Sequence, residues 1–434
     1  MIVSVLASGS RGDVQPPAAL ALALAGRGHH VRLITNREFA GLVEGSDVRF
    51  CPLPVDIRAE LQSPKGREFF AGAGNPVRLL RWVYDIARRY TAETTPLVRD
   101  YVADSDVILG TGLVDYFASV MGRLFNKPCV HAYMQPFVPT RDFPCPVIPP
   151  PPFDMPGWMN RLEAHLYTEI VWLISRPLAR MIHESLQLPP PTLRSDTHVS
   201  LRAGDHFLMA YSEALLPRGT DWPANVAVTG YWYLHLMSNW QVPPALARFI
   251  ESGPAPIYVG FGSMMMKNPT DTVTAVLDAV RRTGSRAIIS EGWGGMRPTS
   301  VPDNVFVAEV VPHEWLFPRV AVVIHHGGAG TIGAALSAGV PQIIVPFITD
   351  QFFWARQLEK RRIAPRAVRH SCLTAESLTA AIRLALNDAG MRKRAADTAV
   401  LVRGEDGTRR AADILERTAM SRGIGDAGEG RRRR

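Results

Sequence analysis

The stretch from His325 to Gln351, HHGGAGTIGAALSAGVPQIIVPFITDQ, constrains the fold more than any other part of the chain. It follows Val320 to Ile324, a short β-branched apolar run of the kind that forms a strand buried on both faces of a parallel sheet. The run empties into two histidines and then Gly327, Gly328 and Gly330, which let the backbone approach a ligand closely and adopt positive φ. Thr331 opens a predicted helix whose unpaired N–H groups and dipole favour an anion, and Gly339 ends it after Ala338. Val340 and Pro341 lead into a second apolar strand, Gln342 to Val345, beyond which stand Asp350 and Gln351. Strand, small-residue turn, helix and strand make a unit suited to a phosphate, with a polar pair just past the carboxyl end of the second strand. Glycine-rich turns after strands are common; the paired histidines and the second polar pair single this one out.

The amino terminus repeats the theme. Met1 to Ala7 is an apolar strand ending in SGSRGDVQP, Ala18 to Ala25 has helical composition, Gly28 breaks it, and Val31 to Thr35 is a strand. GSRG is not GxGxxG and no acidic residue ends the second strand, so a nicotinamide-dinucleotide fingerprint is absent. His29 and His30 read as solvated turn residues. Asp13 reads as a helix cap, with Pro16 in a first turn behind it.

Further along, Asp106 to Thr111 and Lys127 to His131 continue the parallel-sheet pattern. Gln135 to Trp158 then changes character: prolines, among them Pro149 to Pro152, alternate with Phe137, Phe143, Phe153 and Trp158, which excludes helix and central strand. Such a loop either covers the domain's own core or forms an acceptor-site wall, with Phe137 and Phe143 on it. Arg161 to Leu186 looks helical; His206 to Tyr211 and Asn225 to Gly230 are strands. After Gly230 to Pro244, read as a linker, a strand at Pro256 to Phe261 closes in GFGSM, where the Ser263 hydroxyl stands in reach of a phosphate. Arg286 to Ser290 and Val305 to Val310 are strands, the first followed by Trp293 on a Gly-flanked loop and the second by the turn at Val311.

Length and pattern together predict an α/β protein of two doubly wound, Rossmann-like domains facing across a cleft: residues 1–229, a linker at 230–244, 245–415, and a basic, disordered tail at 416–434. Four cysteines without CxxC spacing point to a reducing compartment and no metal site. The absence of a signal-peptide pattern and of long apolar runs reads as a cytoplasmic protein. A net charge of +8 includes the terminal Arg431 to Arg434. The remaining excess suits an anionic nucleotide donor or an acidic membrane face, and no nucleic-acid-binding motif accompanies it.

HHGGAGT, AGVPQ, DQ with a nearby Trp, and GSRGDVQP at the opening together resemble the GT-B nucleotide-sugar glycosyltransferases of the UDP-glucuronosyltransferase and glucosyltransferase family, in the sterol-glucosyltransferase-like and antibiotic-type branch. The resemblance implies that His326, Gly328, Gly330 and Thr331, with Ser263, hold the donor diphosphate. It further implies that Trp293 and Val311 line the donor site and that Asp350 and Gln351 hold sugar hydroxyls. Asp13 falls where plant relatives carry a catalytic histidine, which implies a general base. Ala334 stands where those relatives place a ribose-binding Glu, so UDP- and dTDP-sugars both stay open. The implied reaction is an inverting transfer to a lipophilic hydroxyl, with no metal and no cofactor. A nucleotide-sugar epimerase and a non-catalytic accessory protein are the competing readings.

Overall fold

The computed structural model describes residues 1–66, 76–235, 240–266 and 268–429, the side chains of 76–80, 83, 113 and 422–429 excepted. Seven strands form the first sheet: β1 (Ile2–Leu6), β2 (His30–Asn36), β3 (Arg49–Leu53), β4 (Val107–Thr111), β5 (Cys129–Tyr133), β6 (His206–Met209) and β7 (Val226–Val228). They lie in the order β3-β2-β1-β4-β5-β6-β7, every neighbouring pair parallel. The second sheet holds β8 (Ile257–Gly260), β9 (Ala287–Ser290), β10 (Val305–Ala308), β11 (Val322–His325) and β12 (Gln342–Ile344), in the order β10-β9-β8-β11-β12 and again parallel. Strands such as β4 and β11 are buried along their whole length, because crossover helices cover both faces; that is why they read as unbroken apolar runs.

Each sheet reverses direction once, between β1 and β4 in the first and between β8 and β11 in the second. Ligands of doubly wound sheets bind outside the carboxyl ends of the strands at such a switch point. The segment after β1 carries Ser10 to Asp13, the one after β8 carries Gly262 and Ser263, and the one after β11 carries His326 to Gly330. The chain therefore aims its singular motifs at one place.

Some expectations shift. The first helix spans Arg11–Ala25, seven residues longer than its apolar stretch, with Ser10 as N-cap and Asp13 three residues in. Pro16 and Pro17 sit inside it, early enough to cost little. β3 and the 27-residue helix Pro76–Val102 had no clear signature, since the former is short and carries Arg49 and Pro52 while the latter has Pro96 within it. The linker is not solvated: Tyr231 and Trp232 are buried, and the Tyr233 hydroxyl donates to the Gly333 carbonyl at 2.9 Å.

The last helix, Gly407–Glu429, returns to the first domain. Ala411, Ala412 and Leu415 enter that domain's core, and Glu416 receives bonds from Arg27 at 3.2 Å and His29 at 2.8 Å. Residues 416 to 419 are thus packed on the first domain, not part of a free tail, and His29 is a hydrogen-bond partner of Glu416 rather than a solvated turn residue; the tail's residues 430–434 lie outside the described residues. The two connections between domains cross at Gly230 and Gly407, where a Cβ on Gly407 would stand 2.3 Å from the Tyr231 carbonyl oxygen. No helix among the described residues is long and apolar enough to cross a membrane.

Candidate functional site

The turn after β11 divides the two histidines between different tasks. His325 is fully buried: its Nδ1 accepts from the Gly327 amide at 3.1 Å, so Nε2 carries the proton and donates to Gln342 Oε1 at 2.9 Å. Burial, with neighbouring His326, holds its pKa down at about 3, which makes it a neutral fastener of the turn. His326 faces the other way. Its ring lies against Gly328, where a Cβ would come within 2.5 Å of Nε2, and against Gly262, where one would come within 3.2 Å of Cε1. Glycine at 328 is therefore dictated by the imidazole as much as by any ligand. The Nδ1 atom is buried and has no hydrogen-bond partner among the described residues. An orphaned buried polar atom costs about 1–3 kcal/mol, a penalty usually retained where a ligand relieves it. Burial also keeps His326 at about 4, so near neutrality it is an uncharged imidazole.

The helix beyond runs Ala329–Ala338, starting two residues earlier than its Thr331 reading, with Gly328 as N-cap and Gly339 left-handed at the far end. Thr331 thus sits in the first turn. Among the described residues, nothing outside its own helix lies within 4 Å of a Cβ built on Gly330, and Gly330 is exposed, so the first turn of this helix faces open space on that side. Ser263 stands next to Gly262, on the same turn that touches His326.

Across the cleft, the first helix presents Asp13. Its Oδ2 accepts from the Ser10 amide at 2.7 Å and the Ser10 hydroxyl at 2.8 Å, fixing the carboxylate at the helix start. Asp13 remains open to the water of the cleft while protein surrounds it on both sides, and this desolvation raises its pKa despite the two bonds. Asp350 faces it: burial, and after that the charge of Asp13, push Asp350 up to about 6. Thr349 before it holds φ at 48°, a left-handed conformation costing a β-branched residue about 1–3 kcal/mol, and donates to Asp350 Oδ1 at 2.9 Å. Strain is stored in the turn that aims this carboxylate.

Gln351 departs from its sequence reading. It is buried, its Oε1 accepts from the amides of Phe347 and Ile348 at 2.8 and 3.2 Å, and its Nε2 donates to Met264 Sδ at 3.3 Å. Its side chain is committed to the turn, so Asp350 is the member of the pair turned to the cleft. Phe143 is likewise in the core, edge-on to Trp222 and Phe353, while Phe137 stacks on Tyr133 at 4.4 Å and is partly buried. Trp293 packs on Ala7, Val14 and Phe39 of the first domain, with the Arg58 guanidinium 5.8 Å above its ring. On the donor side its side chain also packs against the core that holds Phe261 and Met264, and its amide donates to the Gly262 carbonyl at 2.8 Å. Val311 is half-buried beside Leu316 and Phe317.

Two residues of the site lie in motifs that the sequence reading singled out, but their side chains were given no role. His313, after β10, stacks on Phe317 at 4.3 Å and is held at about 4 by burial, then by Arg11 and His326. Arg11 is the other. It belongs to GSRGD, bonds through Nε to Gln15 at 2.9 Å, and loses part of its hydration in the cleft, where the first helix meets the Ala329 helix. A basic residue within a glycine-rich opening was the available signal. Among the described residues, no group of three or more His, Cys, Asp or Glu could hold a metal ion.

Comparison with known proteins follows the same division. Residues 3–108 match the glycosyltransferase family 28 N-terminal domain, and residues 274–405 match the erythromycin biosynthesis protein CIII-like C-terminal domain. The chain is 31% identical over 423 residues to a sterol 3-beta-glucosyltransferase of Arabidopsis thaliana, covering 96% of this chain and 68% of the plant protein. It is 30% identical to a sterol 3-beta-glucosyltransferase of Neosartorya fischeri, covering 96% of this chain but 29% of the fungal one; it spans less than a third of that relative. The structure of the glycotransferase of kitacinnamycin superposes with a TM-score of 0.70 at 19% identity, covering 96% of this chain and 98% of that one, a likeness of fold.

Proposed function

This chain belongs to the sterol-glucosyltransferase-like branch of the GT-B glycosyltransferases, and we propose on that premise that it moves a sugar from a UDP- or dTDP-sugar to the hydroxyl of a lipophilic acceptor, with inversion. The observation that carries the reading is the unpartnered, buried Nδ1 of His326 beside an open helix N-terminus, opposite a fixed carboxylate on the other domain. A diphosphate between them receives N–H groups from the Ala329 helix and a hydrogen bond from a neutral imidazole. As the glycosidic bond breaks and charge grows on the leaving phosphate, these donors stabilise it without reorganising. In this proposal they take the place of a divalent ion. Asp13 accepts the acceptor's proton as its oxygen attacks the anomeric carbon from the face opposite the nucleotide. Asp350 holds a sugar hydroxyl, and in its ionised form turns the anomeric centre toward Asp13. The apolar Pro-rich loop and the names of the plant and fungal relatives support a lipophilic acceptor.

The test is a mass-spectrometric screen of UDP- and dTDP-sugars against lipophilic alcohols and phenols, with and without EDTA. The expected result is acceptor-dependent release of nucleoside diphosphate and a glycoside product, unaffected by the chelator. Isomerised sugar nucleotide without any acceptor would make the protein an epimerase. Loss of transfer in EDTA, restored by magnesium, would overturn the assignment of charge neutralisation to His326 and the helix.

A further inference from the structure

The 29-residue helix Gly157–Ser185 has two faces of opposite character. Asn160, Ala164, Thr168 and Trp172, spaced by four, are buried, with the Trp172 indole donating to the Thr192 carbonyl at 3.2 Å. On the outer face Trp158 (63% exposed), Leu162, Leu166, Ile170 and Ile174 follow the same spacing, with Met159 and Leu173 (67%) beside them. Leu193, 78% exposed, joins from a loop tied to this helix through Thr192 and Pro191. At about 1.5 Å per residue the stripe runs some 24 Å, and a contiguous exposed apolar face is the kind of surface that marks an interaction site.

We infer that this face docks on the interfacial region of an anionic lipid bilayer, where the lipophilic acceptor of the proposed reaction would reside; the inference rests on that reading for its purpose but not for its test. Charge supports this occupant. Between Gly157 and Met181 the exposed charged residues are Arg161, which lies 3.7 Å from Asp221, and Arg180, both cationic, and Arg194 is exposed next to Leu193. The two carboxylates of this segment are engaged by the protein: Glu163 accepts from the Cys145 amide at 3.1 Å, and Glu169, its side chain 40% exposed, accepts from the Ser195 hydroxyl at 2.8 Å. An apolar stripe flanked by arginine, with a tryptophan at one end, matches a helix lying in the membrane plane. A cavity of about 260 Å³ under the Pro-rich loop lies at the head of this helix, lined by exposed Phe153, by Asn160 of the helix itself, and by Arg356 and Lys360 of the helix that follows Asp350.

The experiment is co-flotation of the full chain with phosphatidylcholine vesicles containing or lacking phosphatidylglycerol, for the native protein and for the double variant Leu166→Ser and Ile170→Ser. Both residues are solvent-exposed, so the fold should hold, which circular dichroism melting checks. Native protein should float with anionic vesicles, and the variant should lose at least about tenfold in partitioning while keeping its rate on a water-soluble phenol. A chain that stays unbound on every vesicle overturns the inference, and so does one that light scattering finds as a dimer dissociated by the same substitutions. Flotation needs no turnover. Binding without sugar transfer therefore refutes the proposed function alone, and transfer without binding refutes the docking face alone.

Discussion

Replacing Asp13 by Asn separates a base from a structural brace. Both Ser10 bonds fall on one carboxylate oxygen, and the amide oxygen of Asn accepts them equally well. Losing a negative charge at a helix start costs about 0.3–1 kcal/mol, while removing a desolvated charge that faces Asp350 offsets part of it. Stability should change by less than about 1 kcal/mol, a Tm shift of no more than ~4 °C. A lost general base costs about 10²- to 10⁴-fold in kcat, or roughly 3–5 kcal/mol of barrier. The loss should be smaller on phenols, which need less help in losing a proton. The pH profile adds a second reading. Both carboxylates are raised, so each is protonated at acid pH, and kcat/KM should climb with pH as they ionise, Asp350 at about pH 6. A raised carboxylate favours the folded state below its unfolded pKa, and that contribution disappears as pH rises through the folded value. Repulsion across the cleft is therefore greatest at neutral to alkaline pH, and Asp13→Asn should gain stability, relative to the native protein, at pH 8 over pH 5. If the Asp13→Asn variant melts normally and glycosylates an aliphatic alcohol at the native rate, the assignment of the base is refuted.

His326→Ala should lower kcat by about 10²-fold or more, and because the imidazole is neutral above about pH 4, the defect should be the same at pH 6 and pH 8; a histidine acting as a cation would give a pH-dependent one. Arg11→Ala should raise the KM for the sugar nucleotide about tenfold and Arg11→Lys should restore part of it, by isothermal titration with the nucleoside diphosphate; an unchanged affinity would leave Arg11 outside the donor site. Gln351→Leu strands the amides of Phe347 and Ile348, so thermal melting should report about 2–4 kcal/mol of destabilisation, with sugar selectivity altered only to the extent that Asp350 is displaced.

The local units of this protein were legible because they are written in short-range chemistry. A β-branched run into glycines, then a helix ended by a left-handed Gly339, depends on residues within some twenty positions of one another, and both switch-point turns could be placed from it. The resemblance of HHGGAGT and GSRGDVQP to a known family named the same residues. What tertiary structure decided is how those residues share the work. His325 and His326 are identical in sequence, yet one is spent on Gln342 and Gly327 and the other keeps a buried nitrogen unpaired. Asp350 and Gln351 are adjacent, yet only the aspartate is left to the cleft. The final helix lies against Arg27 and His29, 386 to 387 positions away, and no local pattern distinguishes that destination from solvent. The raised carboxylates follow the same rule. Asp350 feels the charge of Asp13 only because folding places two switch points face to face, bringing together like charges that are far apart in the chain.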